Sequence, residues 1–260
     1  MSKTVKEIRS EIARLDSLEA LAQCEFHQDE RIGVQKALLQ RRKALIKLEE
    51  EQDKYRQMLK FEDEILQNNS TAQICGIDEV GRGPLAGPVV ACAVILNADH
   101  EYIGLNDSKK LSAKKRAFYE KELKAKLLDY AFGIANVEEI DKNNIYKATQ
   151  IAMCRAVNQL RYRPSNLLVD AMTLPIDINQ DALVKGDSKS ISIAAASILA
   201  KEYRDRLMKE LDTKYPGYDF ANNVGYGTKK HLEGIDKLGI TPVHRKTFEP
   251  IKSIIANSQN

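Results

Sequence analysis

The chain has 260 residues, with 40 lysines and arginines against 37 aspartates and glutamates, and a formal net charge of +3. At 43% hydrophobic it can build the core of one large domain or two modest ones. The even charge balance rules out an argument for nucleic acid from net charge alone, and no apolar run approaches the roughly 20 residues of a membrane span.

The opening stretch MSKTVKEIRSEIARL is charged throughout and has no leader pattern. The four cysteines, Cys24, Cys75, Cys92 and Cys154, form no C-x-x-C pair, and three sit in apolar runs, which suits buried reduced thiols rather than a zinc site. These features predict a soluble, cytoplasmic protein without membrane contact.

Residues 1–70 read as a helical extension. Thr4 and Glu7 match a capping box, and Val5, Ile8, Ile12 and Leu15 follow at helical spacing. A second helical stretch over 28–66 carries Val34, Leu38, Leu45 and Leu48 at related spacings. The expectation is a helical hairpin or docking arm with no chemistry of its own. The first 75 residues hold a single glycine and no proline, so a boundary is expected near QNNSTAQ, residues 67–73.

Beyond it the pattern changes to strands and helices in alternation. AQICGIDEV and PVVACAVIL read as neighbouring strands. A helix is predicted over 112–130 with Ser112 as its N-cap, then a third strand at AFGIANV and a helix at NIYKATQIAMCRAVNQL. SNLLVDAM is a short buried strand ending at Asp170, and DALVKGD a further one ending at Asp187. SKSISIAAASILAKEYRDRLMKEL is a long helix with a small-residue face. The fold class is therefore α/β: a mixed sheet flanked by helices, with a partly helical C-terminal region over about 212–260.

Within GIDEVGRGPLAG, G-x-G-x-x-A after a strand lies close to a dinucleotide fingerprint. That fingerprint must open a helix, whose N-terminus holds the pyrophosphate. Here Pro88 and a β-branched run continue as strand, and Asp78 and Glu79 stand where phosphates would approach. The acids themselves carry more information. Carboxylates at the ends of buried strands are costly unless paired or bound to metal. Adjacent strands would gather Asp78, Glu79, Asp170 and Asp187 at one sheet edge. Two charges about 4 Å apart repel by about 4 kcal/mol at an effective dielectric of 20. Hard divalent cations with oxygen ligands, Mn2+ or Mg2+, would relieve that repulsion and serve phosphodiester cleavage. His231 and His244 are left out, because such cations prefer oxygen. Alternate strand residues point to opposite faces, so how Asp78 and Glu79 both reach one site is open at this stage.

Several separated stretches, in order, resemble ribonuclease HII: GIDEVGRGPLAGPVV, LNDSKKLS, LLVDAM, KGDSKSISIAAASILAKEYRDRLM, YPGYDF, NVGYGTKKH and TPVHRKTF, spanning 76–248. The resemblance implies a ribonuclease H-like fold. It also implies endonucleolytic cleavage of the RNA strand in RNA–DNA hybrids, and cleavage 5′ to a single ribonucleotide in duplex DNA, leaving 3′-hydroxyl and 5′-phosphate ends. It makes Asp78, Glu79, Asp170 and Asp187 the metal-binding, catalytic acids. Gly81, Arg82 and Gly83 would read the ribonucleotide, with Tyr226 against the next deoxyribose. Lys109, Lys110 and Lys189, from basic clumps suited to a phosphate backbone, are expected to hold phosphates. A monomer is expected, with the N-terminal arm open to a replication protein. The rival readings are a ribonuclease HIII-like enzyme that prefers long hybrids, or a non-catalytic duplex-binding protein.

Overall fold

A computed structural model describes residues 3–258. The chain divides into two compact units, Met1–Gln57 and Met58–Asn260. In the first, α1 (Val5–Arg14), α2 (Leu18–Gln23) and most of α3 (Ile32–Met58) enclose a core of Ile8, Ile12, Leu21, Phe26, Val34, Leu38 and Leu45. The expected capping box forms: Glu7 N donates to Thr4 Oγ1 at 3.3 Å and Thr4 N to Glu7 Oε2 at 2.7 Å. Leu48, expected on the apolar stripe, is exposed. The second helical stretch is two helices, because the ladder breaks at Leu59 before α4 (Lys60–Asn68). The composition changes near residue 70, but α4 belongs to the second unit.

That unit is built on a five-stranded mixed sheet, in the order β3-β2-β1-β4-β5. Strands β1 (Ile74–Val80), β2 (Val89–Ile95) and β3 (Asp129–Ala135) are antiparallel neighbours, while β4 (Asn166–Asp170) and β5 (Asn179–Leu183) run parallel to β1. Every residue of β2 is buried, so the strand reads as one apolar run rather than an alternation. Between β2 and β3 lies α5 (Ala113–Lys126), with Ser112 accepting from Lys115 N as its N-cap. The helix stops short of the expected residue 130, because Asp129 and Tyr130 already pair with Ile95 and Val94 in the sheet.

Side-chain alternation gives each sheet face its own helix. Cys75, Ile77, Ala91 and Ala93 share a core with Ala148, Ala152 and Met153 of α6 (Val137–Asn158), which bends at the non-helical Asn144. The opposite face meets α7 (Ile191–Lys214), whose first residues, through Ala200, are all buried. There the helix backbone lies on β1. A Cβ added at Gly76 would sit 2.2 Å from the Ser192 carbonyl carbon and 2.5 Å from Ile193 N. The small-residue face read from the sequence is thus what lets helix and strand touch. Short helices α8 (Phe220–Asn223), α9 (Lys229–Leu238) and α10 (Ile251–Ser258) complete the C-terminal region around Phe220, Met208, Tyr218, Ile235 and Ile251. No described helix is long and apolar enough to cross a membrane.

The contact at Gly76 generates a test. Gly76→Ala forces backbone against backbone, and overpacking of this kind costs about 1–3 kcal/mol. The urea midpoint is expected to fall by that equivalent with an unchanged slope. An unshifted midpoint would mean that α7 is not held against β1 in this way.

Candidate active site

The acids collect where β1 and β4 end. Pairing of these strands stops at Ile77↔Val169, and the next residues are Asp78 and Asp170. Asp78, Glu79 and Asp170 each place a carboxylate oxygen within 4.8 Å of the others. β1 continues through Glu79, paired with Ala91, so the alternation problem is real. It is solved by the side chains. Asp78 folds back along its own strand, its Oδ1 accepting from Glu79 N at 2.7 Å. Glu79, on the opposite face by alternation, still brings a carboxylate oxygen within 4.8 Å of both other acids. Asp170 is fixed by Gly186 N, which donates to its Oδ1 at 2.6 Å.

Burial and like charge act together here. Asp78 is 5% exposed, and its carboxyl is pushed well above the usual range, first by burial and then by the charges of Glu79 and Asp170. The Ser197 hydroxyl and the Glu79 amide offset only part of this. Glu79 and Asp170 are also raised, chiefly by burial. Arg82 Nη1 lies 3.4 Å from Glu79 Oε1, and Glu79 Oε2 is buried with no hydrogen-bond partner among the described residues. A buried carboxylate oxygen without a donor costs free energy that a cation would recover.

Asp187 takes a different place from the strand end expected of it. β5 ends at Leu183, because Lys185 adopts a left-handed φ of 57° and the chain turns into the short 3-10 segment Gly186–Ser188. Asp187 stays outside the three-acid cluster. It is raised by burial, then by Asp107 and Asp170, so it borders the site with Asp107 beside it. Sequence reading missed Asp107 because N-D-S-K reads as an ordinary turn, and Asp107 does cap that turn, accepting from Lys109 N at 2.9 Å. Lys109 is near enough to lower both Asp170 and Asp187, whereas Lys110 lies 3.9 Å from Asp107. Both lysines are exposed, as is Lys189, for which no contact with the acids is found among the described residues.

The loop after β1 is held from beneath by two buried arginines. Arg204 donates to the carbonyls of Pro88 at 2.9 Å, Val224 at 2.8 Å and Ala86 at 3.1 Å. Arg245 donates to Gly87 at 3.0 Å, Arg82 at 2.7 Å and Gly81. Burial brings their pKa values down to about 10 and about 9, so both remain cationic near neutrality. Gly81, at φ +94°, has Arg204 where a Cβ would be. Arg245 thus turns the carbonyls of Gly81 and Arg82 inward, and Arg204 those of Ala86 and Pro88. Arg204 left a signal in the sequence, since Ala200, Arg204 and Met208 recur at helical spacing on the buried face of α7. Arg245 left none.

Tyr226 is half exposed and lies over Gly83, where an added Cβ would be 3.3 Å from Tyr226 Cε1. Its backbone is held by the two histidines that sequence reading left without a role. Thr241 N donates to His244 Nδ1 at 2.9 Å, so the His244 proton sits on Nε2 and points to His231 Nε2, 3.0 Å away. His231 Nδ1–H then donates to the Tyr226 carbonyl at 2.9 Å. Such a chain requires both rings to be neutral.

Two family models match the chain: "Ribonuclease HII" over residues 75–251 and "Ribonuclease HII N-terminal domain" over 4–66. The chain belongs to the ribonuclease HII family. Ribonuclease HII of Staphylococcus saprophyticus is 59% identical over 255 residues, covering 98% of this chain and all of that one. Among solved structures, ribonuclease H2 of Pyrococcus horikoshii OT3 superposes with a TM-score of 0.62 at 27% identity, over 72% of this chain and 99% of its own. Bst ribonuclease HIII in complex with Mn2+ shares the fold, at a TM-score of 0.55 and 18% identity, over 73% and 71% of the two chains. Membership makes the chain an endoribonuclease that cuts the RNA strand of RNA–DNA hybrids, which removes the non-catalytic reading.

The histidine chain sets a pH dependence. Burial, then the neighbouring His231, lowers His244 to about 4, while unfolded histidine titrates near 6.5. The unfolded state thus takes up its proton first. The contribution of the pair to stability is complete above pH 6.5 and declines as pH falls toward 4. Histidine-selective NMR should find His244 neutral, with its proton on Nε2, down to nearly pH 4. Protonation near 6.5 would contradict the relay.

Proposed function

We propose that Asp78, Glu79 and Asp170 hold divalent cations, Mn2+ or Mg2+, with Asp187 completing the set, and that the enzyme also cuts 5′ to a single ribonucleotide in duplex DNA, leaving a 3′-hydroxyl and a 5′-phosphate. The observation that carries this is Glu79 Oε2: a buried carboxylate oxygen with no donor, beside two further carboxylates raised by the same burial. The donor set is all oxygen, as hard divalent ions prefer. The ribonuclease HIII neighbour was solved with Mn2+.

Cations bound here supply Lewis acidity, activating water and offsetting charge on the leaving oxygen. The protein's own residues do the placing. Asp78 and Asp170 are pre-oriented by the Glu79 and Gly186 amides, so little reorganisation accompanies ion binding. Gly81, Arg82 and Gly83 form the reading edge, set by Arg204 and Arg245 from below. Gly83 carries no side chain to separate substrate from Tyr226, which supports a sugar ring packed on that phenol. A 2′-hydroxyl is what distinguishes RNA from DNA at such close range. Lys109, Lys110 and Lys189 serve the phosphate backbone, Lys109 from beside the acids. Four free cysteines suit a reducing cytoplasm.

One assay tests this reading: a duplex with one ribonucleotide, an all-RNA hybrid and plain DNA, each with Mn2+ or Mg2+. The account expects cleavage of the first two, on the 5′ side of the lone ribonucleotide, and none of the third. Asp78→Asn is expected to lower turnover by at least about a hundredfold, on the scale of a lost electrostatic group at a reaction centre. Near-normal cleavage by that variant at saturating Mn2+ rejects the site.

A further inference from the structure

Glu62 lies in the part of the chain that sequence reading gave no chemistry. It belongs to α4, within a run of charged residues, yet it is only 4% exposed. Its Oε1 accepts from Ser190 Oγ at 2.6 Å, Ser192 N at 3.0 Å and Ser192 Oγ at 2.7 Å. Its Oε2 is buried without a partner. Ser190 is the N-cap of α7 and Ser192 lies in its first turn. The carboxylate therefore answers the unpaired amides and positive end of a 24-residue helix. Its second oxygen is left unsatisfied in the interior, which costs free energy.

The anchored turn connects to the acids by two routes. Ser190 N donates to the Gly186 carbonyl at 2.8 Å, and Gly186 N donates to Asp170 Oδ1 at 2.6 Å. A continuous line of hydrogen bonds thus runs from Glu62 to Asp170. On the other side, Ser192 presses on Gly76, two residues before Asp78. Moving the first turn of α7 would move both acids.

We infer that Glu62 is a positioning residue: through Ser190 and Gly186 it fixes the Asp170 carboxylate, and through Ser192 the end of β1, in the arrangement that binds divalent cations. The inference rests on the proposed metal site. It gives α4, which ends the span matched by the N-terminal family model, a part in the chemistry without contact with substrate. Partners that orient a ligand typically change metal affinity by about ten- to a hundredfold when removed.

The test is Mn2+ binding to the full chain without nucleic acid, read from the loss of the free-ion EPR signal, beside melting temperature and cleavage. Glu62→Ala is expected to weaken Mn2+ binding about tenfold or more, and to raise the Mn2+ needed for half-maximal cleavage by the same factor with little change in KM for the hybrid. Glu62→Gln keeps an acceptor for the same three donors and is expected to stay near wild type. A Glu62→Ala protein that melts earlier but binds Mn2+ as wild type does overturns the inference. Should Glu62→Ala not fold, Ser192→Ala, which removes one donor, is expected to weaken Mn2+ binding by a smaller factor, and unchanged binding there overturns it equally. Asp78→Asn in the same titration separates the two ideas. If it abolishes binding while the Glu62 and Ser192 variants leave binding intact, only the positioning role fails. If wild type binds no ion that Asp78→Asn removes, the metal site fails and takes the positioning role with it.

Discussion

Three carboxylates within 4.8 Å of one another, one buried and two partly buried, set the terms for this structure. Their repulsion and desolvation both favour the protonated forms, which makes the end of β1 and β4 a costly place in the free protein. The fold accepts that cost because the surrounding elements leave the acids little freedom. The parallel pairing of β1 with β4 brings Asp78 beside Asp170, and no local change of side-chain conformation undoes it. A site whose members repel when empty is one in which a divalent cation gains most, and phosphodiester hydrolysis in this family draws on that gain.

The remainder of the second unit supports that point at three levels. Backbone contact between α7 and β1 at Gly76 fixes the helix against the strand that carries two of the acids. The buried guanidiniums of Arg204 and Arg245 shape the following loop through hydrogen bonds to its carbonyls. Burying two cations carries a desolvation cost, which lowers both pKa values yet leaves the pair charged near neutrality. The neutral histidine pair then fixes the turn presenting Tyr226. The acids and loop around residues 78–87 and the ring of Tyr226 are far apart in sequence, and a different kind of buried polar group holds each.

Much of this was legible in the sequence, and the reasons differ by element. β1 and β2 announced themselves through apolar β-branched runs, α1 and α5 through their caps, and Asp78 and Asp170 because each follows the apolar run of a buried strand. Other features were not legible. The end of α5 was masked because A-K-L-L-D-Y continues a helical spacing that the pairing of Asp129 with Ile95 overrides. Asp187 was placed at a strand end because a left-handed Lys185 leaves no mark in composition. Glu62 and Arg245 look like surface residues, since charged side chains seldom lie fully buried. Their burial follows from tertiary packing, which spacing alone does not encode. The convergence of Asp78 and Glu79, neighbours on one strand, also needed atoms, because strict alternation points them to opposite faces.

The central claim is that these crowded acids exist to hold divalent cations. A crystal soaked in Mn2+ and measured at the manganese absorption edge tests it without recourse to activity. The account predicts an anomalous peak contacted by oxygens of Asp78, Glu79 and Asp170, with Glu79 Oε2 among them. No peak at saturating Mn2+, or a peak held elsewhere with these carboxylates dispersed, would contradict it.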